Sequence, residues 1–150
     1  MKICTGNLWD YDGYHIVPTN WETKLGGEAI MGAGVARQAK RRYPKLAKLY
    51  GEIIRANEEP FVWTVLDYNV ICFPTKYTWK KPADIGLIES GVHSLQYLDE
   101  LEVWSLEAEP RKKKFYLPWL GTGLGGLKQE VVRPILEELS DNFIVVGEYK

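Results

Sequence analysis

Two glycine-rich segments constrain this chain more than any other feature. "GGEAIMGAGVARQAKRRYP" places Gly26, Gly27, Gly32 and Gly34 after the apolar run "YHIVPT" and before a helical pattern. "FYLPWLGTGLGGLKQEVV" repeats the arrangement, with Gly121, Gly123 and Gly126 spelling G-x-G-x-x-G. Each segment links a strand to a helix. Glycine lets backbone N–H groups approach an anion with no side chain in the way. A helix N-terminus adds partial positive charge. Two such loops at the C-terminal ends of neighbouring parallel strands face one another across a crevice. That geometry suits a diphosphate held from both sides. Taken singly, either loop reads more readily as a tight turn.

The remaining pattern supplies the frame. "KICT", "YHIVPT", "FVWTVL", "NVICFP", "KFYLPWL" and "NFIVVGEY" read as strands, about six in all. A "DYN" turn makes the third and fourth a hairpin. Helical spacing predicts helices over Ala29–Arg42, Lys45–Ala56 and Ile85–Leu101, and a last one carrying Val131 to Leu139. Strands alternating with helices argue an α/β fold, a three-layer α/β/α sandwich with a mixed sheet. At 150 residues the chain fits a single domain, 1–150. A dinucleotide fold built on the second loop would need further βα units, and only two residues follow Glu148. A P-loop is excluded because no Gly-Lys-Ser/Thr follows the glycines.

Composition narrows the partners. A net charge of −1 gives no global attraction to nucleic acid or membrane. No apolar run is long enough to span a bilayer, and "MKICTGNLWD" is unlike a secretory signal, so a cytoplasmic protein is expected. Cys4 and Cys72 sit inside apolar runs and read as buried strand cysteines. His15 and His93 have no partner at metal-ligand spacing, so neither a metal nor a cofactor is expected. "EAEPRKKKF" reads as a surface loop.

"GNLWD", "PTN", "IMGAGVARQAKRRYP", "FPTKYTWKKP" and "LPWLGTGLGGL" together resemble the macrodomain family, in order and over almost the whole chain. The likeness is strongest to the branch of terminal ADP-ribose glycohydrolases and of antitoxins that remove ADP-ribose from DNA. It implies an ADP-ribose site over a mixed sheet between helices. By position, Asn7 and Leu8 would lie at the adenine end and Asn20 at the distal ribose. Met31, Gly32, Ala33, Gly34 and Val35 would line one side of the diphosphate and distal ribose. Gly121, Thr122, Gly123, Leu124 and Gly125 would close the other.

The resemblance also implies a nucleophile, Lys76 in "FPTK". A neutral amine displaces the linked group and holds the opened sugar as an imine, which water releases. Burial near "ICFP" and Trp79, with Lys80 and Lys81 nearby, would favour the neutral amine. Lys81 is the second candidate, and a phosphate-binding or solvated Lys76 is the competing reading.

The chain departs from the family pattern at three places. Gly125 stands where protein-directed relatives carry a catalytic aspartate, which leaves the DNA-directed antitoxins as the nearer match. Gln129 replaces an aromatic residue. "WETKLGGEA" is an insertion in which Trp21 or Glu22 would meet substrate, and Glu22 or Glu28 would replace the missing acid.

The expected activity is therefore removal of ADP-ribose from a macromolecule, a DNA base ahead of protein, with Lys76 and Asn20 as the catalytic pair. A non-catalytic ADP-ribose reader and an ADP-ribose 1″-phosphate phosphatase are the alternatives. Basic clusters lie at Lys40–Lys48, Lys76–Lys81 and Arg111–Lys114. The middle one, laced with Tyr77 and Trp79, is a candidate contact for single-stranded DNA, against the plainer reading of solvated loops. A monomer is expected.

Overall fold

In a computed structural model, which describes residues 1–104 and 114–150, the strands form one six-stranded sheet. They are β1 (Lys2–Cys4), β2 (Tyr14–Asn20), β3 (Trp63–Val65), β4 (Val70–Lys76), β5 (Phe115–Leu117) and β6 (Phe143–Val146). Their order is β1-β6-β5-β2-β4-β3. All neighbours run parallel except β3, which is antiparallel to β4. The expected hairpin forms, and Asn69 turns it with φ +51°, a left-handed conformation that asparagine tolerates.

The helices are α1 (Gly34–Arg42), α2 (Leu46–Ala56), α3 (Ile85–Trp104) and α4 (Gln129–Leu136). They cover the sheet on both sides because its central strands are apolar on both. In β4, Ile71 and Phe73 join Ile88, Val92 and Leu95 of α3 and Val132 and Leu136 of α4 in one core. The alternate residues Val70 and Cys72 join Ala36 and Ala39 of α1 and Leu46 and Tyr50 of α2 in the other. That two-residue alternation gives the three-layer sandwich with a mixed sheet.

One helix starts later than its sequence suggests. Ala29, Ile30 and Met31 read as the beginning of α1, but they belong to an extended wall. Ala29 bridges Thr23 and donates its N–H to the Ala47 carbonyl at 2.9 Å, while Ile30 donates to Glu22 O at 2.9 Å. Ala29 and Met31 are buried and Ile30 half-buried by this loop rather than by a helical stripe. The turn into α1 is made at Gly34, with φ +57°.

Cys72 is fully enclosed in β4, and burial drives its thiol far above the ordinary range, so it is inert packing. Cys4 lies half-buried in β1. Among the described residues no group of three or more His, Cys, Asp or Glu lies together as a metal site, and no helix is long and apolar enough to cross a membrane. Residues 107–113 of the expected polar loop, including Arg111 to Lys113, fall outside the described residues.

His15 gives the fold a pH dependence. Its Nε2 donates to Tyr11 O at 2.7 Å, and its buried Nδ1 has no partner among the described residues. Burial lowers its pKa, opposed by the Tyr11 bond and reinforced by Arg42. The unfolded chain therefore takes up this proton near the ordinary histidine value of 6.5, while the folded chain resists it. Stability is full above that value and declines as pH falls below it. Urea unfolding at pH 7.5 and 5.5 should show the loss, and His15→Gln should flatten it by up to ~1 kcal/mol per pH unit.

Candidate functional site

The topology places β2 beside β5, both parallel, so the loops that follow them leave the same edge of the sheet. Between them lies a cleft of about 950 Å³. One wall is Ile30–Val35, and the other is Gly121–Gly125. The two-walled crevice expected from the glycine segments is present.

The glycine loop after β5 is held by its own carbonyls. Leu127 N donates to Gly121 O at 3.0 Å, Gly126 N to Gly123 O at 3.1 Å, and Ala83 N to Gly125 O at 2.9 Å. The Thr122 hydroxyl donates to Trp119 O at 2.8 Å. These bonds consume acceptors and leave donors. The N–H groups of Gly123, Leu124 and Gly125, and those of Gly32, Ala33 and Gly34 across the cleft, have no acceptor among the described residues. Backbone amides left in this way on two facing loops suit a diphosphate. The loop does not open a helix directly, since α4 begins only at Gln129.

Lys76 is the last residue of β4, and its Nζ donates to Leu124 O at 3.3 Å, reaching across to the opposite loop. Asn20 ends β2 next to it and is its register partner. The Asn20 amide donates to Ile30 O at 3.2 Å and accepts from Glu22 N at 3.1 Å. Asn20 therefore fixes the wall beside Lys76 while itself lining the cleft.

Twelve of the fourteen anticipated site residues border this cleft: Asn20, Met31, Gly32, Ala33, Gly34, Val35, Lys76, Gly121, Thr122, Gly123, Leu124 and Gly125. Asn7 and Leu8 do not. Asn7 accepts from Trp9 N at 3.0 Å as the cap of a short turn, and Leu8 is buried. Sequence reasoning missed Thr19, Thr75 and Trp119, which line the floor where strands end, and Gln129, Gly147, Glu148 and Lys150 at the far end. Gln129 ties that end together, donating to Glu148 O at 3.0 Å and accepting from Lys150 N at 2.8 Å. The strand-end residues were reachable from the rule that α/β ligands sit at carboxyl ends. The Gln129 link has no local sequence signal.

The insertion does something other than expected. Trp21 is buried, its ring 5.9 Å from Tyr50 and its indole N–H bonded to Asn57 O at 3.3 Å. Glu22 and Glu28 do not line the cleft. Instead, the Glu22 carboxylate accepts from Thr78 Oγ1 at 2.7 Å and from Trp79 N at 3.3 Å. It clips the segment after Lys76 to the wall after Asn20, and Trp79 lines the cleft mouth while more than half exposed. Glu22→Ala should cost ~1 kcal/mol in urea unfolding, and Glu22→Gln, which keeps an acceptor, clearly less.

No protein-family model matches the chain. It is 34% identical over 112 residues to the DNA ADP-ribosyl glycohydrolase of Mycobacterium tuberculosis, covering 69% of this chain and 29% of that protein. It is 31% identical over 150 residues to the protein of the same name from Thermus aquaticus, covering 92% of this chain and 37% of that one. The chain thus spans about a third of the length of these curated relatives. The solved macrodomain of Mycobacterium tuberculosis DarG superposes with a TM-score of 0.73 at 26% identity, over 97% of this chain and 95% of that one. The macrodomain of Thermus aquaticus DarG gives 0.74 at 27%, over 98% and 97%. Thermosipho africanus DarTG, solved in complex with ADP-ribose, shares the fold with a TM-score of 0.75 at 22% identity, over 99% of this chain and 42% of that one. Six strands in the same mixed arrangement, a cleft between two glycine walls and this likeness along nearly the whole chain agree: the chain belongs to the macrodomain family, in the branch of the DarG macrodomains.

Proposed function

We propose that the cleft binds ADP-ribose and that the protein releases ADP-ribose from a modified DNA base. The observation that carries this reading is Lys76, an amine at the end of β4, hydrogen-bonded across a cleft walled by two sets of unpaired backbone amides. The diphosphate lies between Gly32–Gly34 and Gly123–Gly125. The adenosine end points toward Gly147–Lys150, on the side of β6 that borders β1, and the distal ribose points toward Asn20 and Lys76.

In the reaction, the nitrogen lone pair of Lys76 attacks C1″ of the distal ribose. The C1″–N bond breaks with its electron pair going to the base, which departs after taking a proton. The ring oxygen then leaves C1″ to give an imine, water adds to it, and the amine is returned. Asn20 orients the ribose. Tyr77, Trp79, Lys80 and Lys81 are all exposed, Trp79 at the cleft mouth. They offer a face on which an unstacked base and its strand rest.

The name DNA ADP-ribosyl glycohydrolase carried by two relatives and the ADP-ribose complex of Thermosipho africanus DarTG support this reading. Calorimetry with ADP-ribose and NAD, followed by incubation with modified DNA and modified protein, tests it. ADP-ribose should bind more tightly than NAD, and free ADP-ribose should appear from DNA. Binding with no release from either substrate would leave a reader. Phosphate release from ADP-ribose 1″-phosphate in its place would make the protein a phosphatase.

A further inference from the structure

A shallower hollow of about 420 Å³ opens beside the cleft and shares Met31 and Gly32 with it. The rest of its lining is Pro44 and three cations of α1, Arg37, Lys40 and Arg41. At spacings of three and four residues these share one face of the helix, while Ala36 and Ala39 bury the other. Among the described residues none of the three forms an ion pair. Lys24 approaches Lys40 from the insertion; its proximity first, then burial, lowers the Lys40 pKa, with Glu28 opposing. The negative end of the α1 dipole favours Lys40 and Arg41 in the last turn. It does not account for Arg37, which lies nearer the positive end. Like charges at these spacings repel one another, and an anion seated among them would relieve that repulsion.

The hollow adjoins the end of the cleft where the leaving group departs. Gly32 connects it to Ile30, which is bonded to Asn20 and to Glu22, and Glu22 holds Trp79. Lys76 sits at the same end, remote along the sheet from Gly147–Lys150. The basic hollow thus shares Met31 and Gly32 with the cleft, and the exposed Trp79 lines that same cleft.

We infer that Arg37, Lys40 and Arg41 form a phosphate-binding site for the backbone of single-stranded DNA flanking the modified base. The inference rests on the reading that the cleft takes ADP-ribosylated DNA. A strand leaving the cleft would set its phosphates against the cations of α1 and an unpaired base against Trp79. The site adds affinity for the strand and does not touch ADP-ribose.

The test compares wild type with the exposed double variant Arg37→Glu/Arg41→Glu, using an unmodified oligothymidylate and, separately, free ADP-ribose. Oligothymidylate affinity at low salt should fall roughly tenfold or more, and its log–log salt slope should flatten by about 0.7 for each phosphate that the variant no longer neutralises. ADP-ribose affinity by calorimetry should stay within about twofold, since the substitutions lie outside the cleft. KM for a modified oligonucleotide should rise with kcat unchanged, while turnover of a modified mononucleoside, which has no flanking phosphates, should not respond. Unchanged oligothymidylate affinity and slope in the variant would overturn the inference, as would equal impairment on the mononucleoside. Failure of wild type to bind ADP-ribose would instead remove the reading of the cleft, a result the oligothymidylate measurement does not depend on.

Discussion

Lys76→Ala should slow release of ADP-ribose from a modified DNA base by about a thousandfold or more, ~4 kcal/mol, while ADP-ribose affinity changes by no more than about twofold. The separation follows from where Lys76 is anchored. Its Nζ hydrogen-bonds to the carbonyl of Leu124, an exposed residue, so truncation leaves an acceptor that water satisfies at little cost. On the proposed reading the diphosphate is met by backbone amides, which the substitution does not touch. What disappears is the proposed nucleophile. Lys76→Arg should be equally inactive, because a guanidinium stays protonated and offers no nucleophilic lone pair. A borohydride present during turnover should reduce the imine and leave wild type, but neither variant, heavier by one sugar adduct. Release that survives intact in Lys76→Ala would remove the lysine from the mechanism and return it to the role of a phosphate-binding or solvated side chain.

The chemistry-bearing segments are legible in the sequence because their signals are local. A strand, a run of glycines and a helical stripe in order specify a strand-to-helix loop, and two of them specify facing walls. The Glu22 role is not legible, because it depends on residues 56 and 57 positions away in the chain. The extended wall at Ala29–Met31 reads as helix for a related reason. Small and apolar residues there satisfy the helical pattern, while the bonds that hold them extended come from Ala47 and Glu22. The basic face of α1 is visible as a cluster of charge, but its place beside the cleft depends on Met31 and Gly32 walling two cavities at once. Sequence periodicity assigns faces to elements. It does not say which two faces border one opening.

Gly125→Asp, the substitution that would recreate the acid of the protein-directed relatives, should inactivate the site rather than redirect it. A Cβ at Gly125 would stand 2.4 Å from Gly121 O, 2.8 Å from Gly121 C and 2.9 Å from the Ala83 Cβ. The first two are backbone atoms that cannot swing aside. Gly121 O is held by Leu127 N at 3.0 Å, and Gly125 O by Ala83 N at 2.9 Å, so any retreat breaks one of the bonds that shape the loop. The expected cost is ~2–3 kcal/mol in unfolding free energy, with ADP-ribose affinity reduced about tenfold or more as the amides of Gly123 to Gly125 shift. Gly125→Ala should show nearly the whole effect, because the clash is with the first side-chain atom and not with the carboxylate. Gly123→Ala is the internal control: nothing lies within 4 Å of its added Cβ, and it should fold with near-native stability. In this chain the loop is packed as glycine requires, so the lack of an acid at this position is built into the backbone. A folded Gly125→Asp protein that binds ADP-ribose normally and gains release from modified protein would show that the loop tolerates the side chain and that the acid alone sets the substrate.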